Sequence, residues 1–309
     1  MEKVILTGPT AVGKTAASLA FAEKWNAEII SSDSRQCYKY LNIGTATPTD
    51  DELTQIKHYN ISIIDPAEKD SAGRFYERAM QWEQQIENKK KHIFYVGGST
   101  LHQQCIIQPF DEVPTANEAN IAQLAQQIAS EGLASLYKKL QQVDPVYAKA
   151  MDGMNRQRII RALDVWMQTG DPFSSFHSNK KIIPDDNTIV IGFARERRQL
   201  YERINERVDR MFDQGFLEEV EALLARGYSK KDPGLNTVGY SQAIDFLQGI
   251  IDHEQMRADI KTKTRRYAKR QLSWFRKWPF IKWIDLDSTP PQAVTKKMMQ
   301  YVAAKSNKE

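Results

Sequence analysis

A chain of 309 residues with 43 Lys plus Arg against 39 Asp plus Glu, net charge +4, has room for one large α/β unit or two domains of ordinary size. Its apolar fraction of 41% excludes a disordered chain, and no run approaches the roughly 18 apolar residues of a membrane span. Two cysteines, Cys37 and Cys105, with no CxxC and no Cys/His cluster, argue against a disulfide framework and a structural zinc site. A reducing cytoplasm is the expected compartment. The opening apolar strand leaves no stretch that reads as a signal or transit peptide.

The first predicted element is a strand over 3–7, carrying Val4-Ile5-Leu6. Directly after it, Gly8-Pro9-Thr10-Ala11-Val12-Gly13-Lys14-Thr15 completes the pattern G-x-x-x-x-G-K-[ST], and a helix follows over 14–25. In such a loop backbone N–H groups close around phosphate oxygens, Lys14 adds a charge, and the Thr15 hydroxyl can ligate Mg²⁺. The pattern indicates a di- or polyphosphate without saying that the ligand is a nucleotide.

A second strand, 27–31, delivers Ser32-Asp33-Ser34 at its end, and a helix is predicted over 74–90. The strand at 92–96 ends in Gly97-Gly98-Ser99, with no acid in the usual metal-holding position of an ATPase. Residues 110–185 show helical periodicity and almost no strand signal. The next strand, 188–193, therefore makes the intervening segment a helical insertion. Helices continue over 197–213, 216–226, 240–248 and 254–278, and the tail is expected to fray after Ala303. The predicted fold class is α/β, a phosphate-loop parallel-sheet core (1–109 and 187–309) with a helical insertion domain (110–186). Its ligand site is expected at the C-terminal edge of the strands.

Asp33, at a strand end beside the loop, can act on a metal or a substrate proton, or cap its own Ser-Asp-Ser turn. Arg203 and Arg207 share a helical face and can aim a guanidinium at a leaving phosphate. Glu202, Glu206 and Asp209 make surface ion pairs an equal alternative. Gln157, Arg158 and Arg161 present polar groups on the insertion, with Ile159, Ile160 and Leu163 packing behind. The five histidines have no metal-ligand spacing, and most are expected at the surface. From Lys261 to Trp278 the sequence carries eight Lys/Arg and no acid, with Tyr267, Trp274, Phe275 and Trp278 interleaved. The run reads either as a core helix with a solvated basic side or as a track for a nucleic-acid backbone.

GPTAVGKT at 8–15, SSDSRQCYKYLNIGTATP at 31–48, VGGS at 96–99 and NRQRIIRALDV at 155–165 occur in order. RINERVDRMFDQGFLEEV at 203–220, TVGYSQ at 237–242 and TRRYAKRQLSWFRKW at 264–278 follow. Together they resemble the bacterial tRNA dimethylallyltransferases over nearly the whole chain.

The resemblance implies transfer of the dimethylallyl group of dimethylallyl diphosphate to N6 of the adenine 3′-adjacent to the anticodon. It implies that Gly8, Pro9, Thr10, Ala11, Val12, Gly13, Lys14 and Thr15 hold the diphosphate and, through Thr15, Mg²⁺. Arg207 would bind the diphosphate, Asp33 would be the general base, and Ser99 would stand near the reacting amine. Asp33, Ser34, Arg35 and Gln36 would contact tRNA, as would Ser99 and Gln157, Arg158, Ile159, Ile160 and Arg161. So would Thr237, Gly239 and Tyr240. Arg266, Lys269 and Arg270 of the basic run would do the same, and the insertion would grip the anticodon stem-loop. No membrane is involved, and a monomer is expected.

The chain departs from the family pattern at Ser99, where threonine is usual. It departs again at Thr100-Leu101-His102, which replaces Gly-Leu-Tyr, and at Ile121, where a basic residue often sits. A zinc-finger extension is absent from the sequence. A nucleoside or nucleotide kinase using the loop for ATP is the main alternative, and it leaves the basic helix and insertion without a task. A non-enzymatic RNA-binding protein leaves the loop unexplained.

Overall fold

The computed structural model describes residues 2–178 and 181–306. In chain order the elements are β1 (Lys3–Thr7), α1 (Lys14–Lys24), β2 (Ala27–Ser31), α2 (Asp50–Gln55) and β3 (His58–Tyr59). Next come α3 (Ala72–Asn88), β4 (His92–Val96), α4 (Thr100–Ile107), α5 (Glu118–Glu131), α6 (Leu133–Val143), α7 (Pro145–Ala150) and α8 (Arg156–Thr169). A 3₁₀ turn at Phe173–Phe176 leads to β5 (Thr188–Ala194), α9 (Arg197–Asp213), α10 (Phe216–Ala225) and α11 (Tyr240–Leu247). The chain ends with α12 (His253–Phe275), β6 (Lys282–Asp285) and α13 (Pro291–Ser306).

The strands form one parallel sheet in the order β3-β2-β4-β1-β5-β6. Both faces are covered, which is why the inner strands read as continuous apolar runs rather than as alternation. Val4 and Leu6 of β1 join Ile191 and Phe193 of β5 on one face, packed against Phe21 of α1 and Met298 of α13. Ile5 and Val190 point the other way, onto Phe75 of α3 and Phe275 of α12. A third cluster joins α9 to α12 around Phe216, Tyr240 and Ile260.

The chain divides into two compact units, residues 1–109 with 182–309, and residues 110–181. The second is all-helical, with Leu124, Leu140, Ile159 and Leu163 at its centre. Residues 182–186, expected in the insertion, belong to the first unit, where Ile182 packs against the α3 side of the sheet. Helix α3 starts at Ala72 because the Ser71 hydroxyl accepts from Arg74 N–H. Helix α13 continues past Ala303 to Ser306, anchored by Val294, Met298 and Val302 against the sheet. Of the histidines only His253 is exposed. His58, His92 and His177 are half-buried, and His102 is buried and stacked on Phe75, correcting the expectation that most lie at the surface.

Candidate active site

Strand order places the site. β4 lies between β1 and β2, so the loop after β1, the Asp33 turn after β2 and Gly97-Gly98 after β4 meet at one edge. A Cβ on Gly97 would fall 2.4 Å from Ser32, so glycine is what lets the β2 and β4 exits approach this closely. The edge opens into a cleft of about 1220 Å³ whose walls include Lys14, Thr15, Asp33, Arg203, Arg207 and Tyr267. A smaller cavity of about 180 Å³ adjoins it, and Thr10, Asp33, Thr45, Arg207, Met211 and Tyr267 line both.

The phosphate loop is held by cations on its carbonyl side. Lys14 Nζ donates to Gly8 O at 2.8 Å and Pro9 O at 3.0 Å. Arg203 Nε donates to Ala11 O at 3.0 Å, and Arg195 Nε to Val12 O at 2.9 Å. Arg207 Nη1 donates to Thr10 Oγ1 at 2.9 Å. Arg203 and Arg207 therefore face the loop, while Asp209 is engaged with Arg257 and Lys261 and Glu202 with Arg198; Glu206 still acts on Arg203 through space. Helix α1 starts at Lys14 with Gly13 as its N-cap and no acid in its first turn. Its first N–H groups thus meet no side-chain acceptor and point positive charge at the cleft.

Burial pulls Lys14 down from 10.5 to about 8, opposed by the nearby Asp33 carboxylate and reinforced by Arg207. Burial also lowers Arg207, and again Asp33 pulls the other way. One carboxylate thus acts on both cations. Asp33 Oδ1 accepts from Arg35 N–H at 2.8 Å, so the turn-capping role weighed from sequence is real, and the same carboxylate still lines both cavities. Tyr267 is raised by burial and then by Asp33. Gln36 ties the end of β2 to the loop at Ala46, accepting from Ser31 Oγ and donating to Ala46 O at 2.8 Å each.

Other expected residues divide sharply. Ser34, Arg35, Thr237, Gly239 and Tyr240 line the small cavity. Tyr240 itself is 0% exposed, and its hydroxyl donates to Glu219 Oε1 at 2.6 Å. Glu219 Oε2 in turn accepts the N–H groups of Asn42 and Ile43. Through Glu219, Tyr240 thus holds the 42–44 loop while the residue lines the small cavity. Ser99 lies on neither cavity wall; it is 9% exposed, and its N–H donates to Ser32 O.

In the helical unit Gln157 and Arg158 are exposed, and Ile160 is half-buried. Arg161 is half-buried and turned inward, bonded to Asp164 and Pro114 O. Ile159, at 0% exposure, packs in that unit's core, so the tRNA contact expected of its side chain is withdrawn. On α12, Lys263, Arg266, Lys269 and Arg270 are all exposed, whereas Lys261 and Arg265 turn inward to Asp209 and Asn205 of α9. The core-helix reading and the outward basic face thus coexist on one helix.

Sequence reasoning missed His58 and Gln271, both on the cleft wall. His58 opens a two-residue strand that no periodicity marks. Gln271 lies inside the basic run but faces away from its basic side. Cys37 and Cys105 are free and buried. Among the described residues no three His, Cys, Asp or Glu converge as metal ligands, and no helix is long and apolar enough to cross a membrane. Thr15 lines the cleft, and its hydroxyl is of the type that could hold a Mg²⁺ ion whose other ligands are phosphate oxygens and water.

The family model for IPP transferase matches residues 36–278. A tRNA dimethylallyltransferase of Christiangramia forsetii is 41% identical over 98% of this chain and 97% of its own length. One of Salinibacter ruber is 42% identical over 90% of this chain and 86% of its own length. The crystal structure of a tRNA isopentenylpyrophosphate transferase from Bacillus halodurans superposes with a TM-score of 0.72 at 34% identity, covering 99% of this chain and 98% of the other. With the family model spanning most of its length and relatives matching it nearly end to end, this chain belongs to the IPP transferase family, that of the tRNA dimethylallyltransferases.

Proposed function

We propose that this protein transfers the dimethylallyl group of dimethylallyl diphosphate to N6 of the adenine 3′-adjacent to the anticodon of tRNA. The observation that carries this reading is Asp33, the one carboxylate acting on both Lys14 and Arg207 while lining both adjoining cavities. A diphosphate seated at the α1 N-terminus faces Lys14 and Arg207, and an acceptor amine entering by the small cavity faces Asp33.

In the reaction the C1–O bond to diphosphate breaks and the electron pair leaves with oxygen. The N6 lone pair forms the new bond to C1, and the N6 proton passes to the Asp33 carboxylate. Lys14, Arg207 and the loop N–H groups stabilise the charge that grows on the departing diphosphate, a fixed electrostatic environment needing no rearrangement. Thr15 would hold Mg²⁺, which would supply neutralisation of the diphosphate charge.

Gln157 and Arg158 of the helical unit, and the exposed cations of α12, offer contacts to the anticodon stem-loop. The cytoplasm is the proposed compartment, with the protein acting as a monomer. The test incubates protein, Mg²⁺, labelled dimethylallyl diphosphate and unmodified tRNA, with ATP in a parallel reaction. Label on tRNA at the adenine beside the anticodon is expected. ATP turnover with no label on tRNA would overturn the reading in favour of a kinase, and tRNA binding without either reaction would overturn it in favour of an RNA-binding protein.

A further inference from the structure

We propose that Gln271 is a positioning residue for the transfer reaction: its buried amide sets the phosphate loop through Thr10, and with it Arg207, from the helix that carries the basic face. The geometry is specific. Gln271 is 3% exposed on α12. Its Oε1 accepts the Thr10 backbone N–H at 3.0 Å, and its Nε2 donates to Gly98 O at 2.7 Å. One amide therefore ties the first turn of the phosphate loop to the glycine pair that ends β4. Thr10 is bonded twice, its N–H to Gln271 and its Oγ1 to Arg207 at 2.9 Å. Any shift of Thr10 is thus passed to the guanidinium that faces the leaving group.

The donor and acceptor pattern leaves little freedom of residue type. An N–H needs an acceptor and a carbonyl needs a donor, and the glutamine amide offers both from one planar group. Glutamate would keep the bond to Thr10 but set a carboxylate oxygen against Gly98 O, and would add negative charge to the cleft wall. Leucine would leave the Thr10 N–H and the Gly98 carbonyl to find other partners in a buried corner. Asparagine is one methylene too short to span the gap. Gly98 fits the same account, because a Cβ there would lie 2.4 Å from Gln271 Nε2.

The bond to Gln271 also occupies Thr10 N–H. The amides left for the diphosphate are then those nearer the start of α1, where Gly13 caps the helix. The anion seat is thereby displaced toward Lys14 and Thr15, which is where a metal-bound diphosphate needs it. Misplacement of a reacting group by about 1 Å costs on the order of 10²-fold in rate, so an indirect tether of this kind is visible in kcat.

The inference rests on the cleft taking the diphosphate, and the experiment separates the two. Gln271→Leu, Gln271→Glu and Gly98→Ala are made in the full chain. Each is measured for kcat, KM for dimethylallyl diphosphate, affinity for inorganic pyrophosphate with Mg²⁺, tRNA affinity and thermal midpoint. Gln271→Leu is expected to lose about 10- to 100-fold in kcat while tRNA affinity stays within about 3-fold. Gln271→Glu is expected to lose pyrophosphate affinity as well, because it adds charge next to the anion. Gly98→Ala, whose Cβ would meet the Gln271 amide at 2.4 Å and Gly8 O at 3.2 Å, is expected to lose kcat in the same direction, and it decides the matter should Gln271→Leu fail to fold. Turnover of Gln271→Leu or Gly98→Ala within about 3-fold of the parent would sink the role of Gln271, as would a loss of tRNA affinity large enough to account for the lost turnover. A parent that transfers no prenyl group would instead sink the function proposed for the cleft.

Discussion

Lys14 is an ammonium drawn down from 10.5 to about 8, chiefly because it is buried, and this predicts how the enzyme responds to pH. In the free protein about nine-tenths of Lys14 is charged at pH 7 and only about a tenth at pH 9, so kcat/KM for dimethylallyl diphosphate should fall roughly tenfold per pH unit above 8. Bound diphosphate favours the charged form, which moves the limb in kcat at saturating donor to higher pH. Replacing Lys14 with Arg keeps a cation that does not titrate in this range. That variant should be slower, yet flat between pH 7.5 and 9.5. The assay is initial prenyl transfer at fixed, saturating tRNA across that range. A parent profile flat to pH 9.5, or a Lys14→Arg profile with the same limb, would refute the assignment.

The same displacement has a stability consequence. Between pH 8 and 10.5 the unfolded chain holds a proton on Lys14 that the folded chain has released, so stability rises with pH across that window. Below about 8 both states hold the proton, and the full cost of the buried charge is present. A displacement from 10.5 to about 8 corresponds to about 3 kcal/mol. Lys14→Met removes this group from the folded and the unfolded chain alike. The stability of the parent relative to Lys14→Met should therefore improve by about 3 kcal/mol between pH 8 and 10.5, read from denaturant melts without ligand. A difference constant across that window would mean that Lys14 is not a buried charge.

Three further outcomes are expected. Asp33→Asn should keep the fold and tRNA affinity and lose on the order of 10²–10⁴ in turnover; turnover within a few-fold of the parent would remove Asp33 as the base. Arg207→Ala should lower kcat and raise KM for dimethylallyl diphosphate with tRNA affinity nearly intact, whereas weakening confined to tRNA would assign Arg207 to the RNA surface. Replacing Arg266 and Arg270 together with Gln should flatten the log–log salt dependence of tRNA binding by roughly one to two units, alike for many tRNAs. An unchanged slope in a folded variant would return that face of α12 to solvent.

What was legible in the sequence was what local chemistry determines. The phosphate loop announces itself because strand, glycines, lysine and helix start lie within one short stretch, and Asp33 follows from a strand ending in Ser-Asp-Ser. The basic side of α12 was legible because charge is excluded from a core, so outward cations follow from periodicity alone. Gln271 was not legible, since its partner Thr10 lies 261 positions away and nothing in the local pattern distinguishes a buried glutamine from an exposed one. Ile159 shows the opposite failure. It sits between Arg158 and Arg161 in a run carried over whole, and the helical period turns its side chain into the core of its unit while turning Arg158 out. Residues 282–285 passed unnoticed because a four-residue edge strand with one buried side chain leaves too little alternation to detect.

The three arginines at the loop carry the argument beyond either sequence or motif. Arg195, Arg203 and Arg207 come from 183 to 197 positions downstream and meet Val12, Ala11 and Thr10 in reverse order. Their partners are two carbonyls and a hydroxyl, and Lys14 takes the Gly8 and Pro9 carbonyls. Cations thus turn the loop's negative ends away from the anion seat and leave the amides at the start of α1 facing it. Ala11 is held at φ 62, a conformation disfavoured for a residue with a Cβ, and the Arg203 bond to its carbonyl offsets that cost. A loop that only bound phosphate would need its glycines and its lysine. A loop that must hold a diphosphate still while the C1–O bond breaks needs its backbone fixed before the substrate arrives, because only a preformed field stabilises the growing charge without a reorganisation cost. The arginines of β5's exit and of α9 supply that fixation from one side, and Gln271 supplies it from the other.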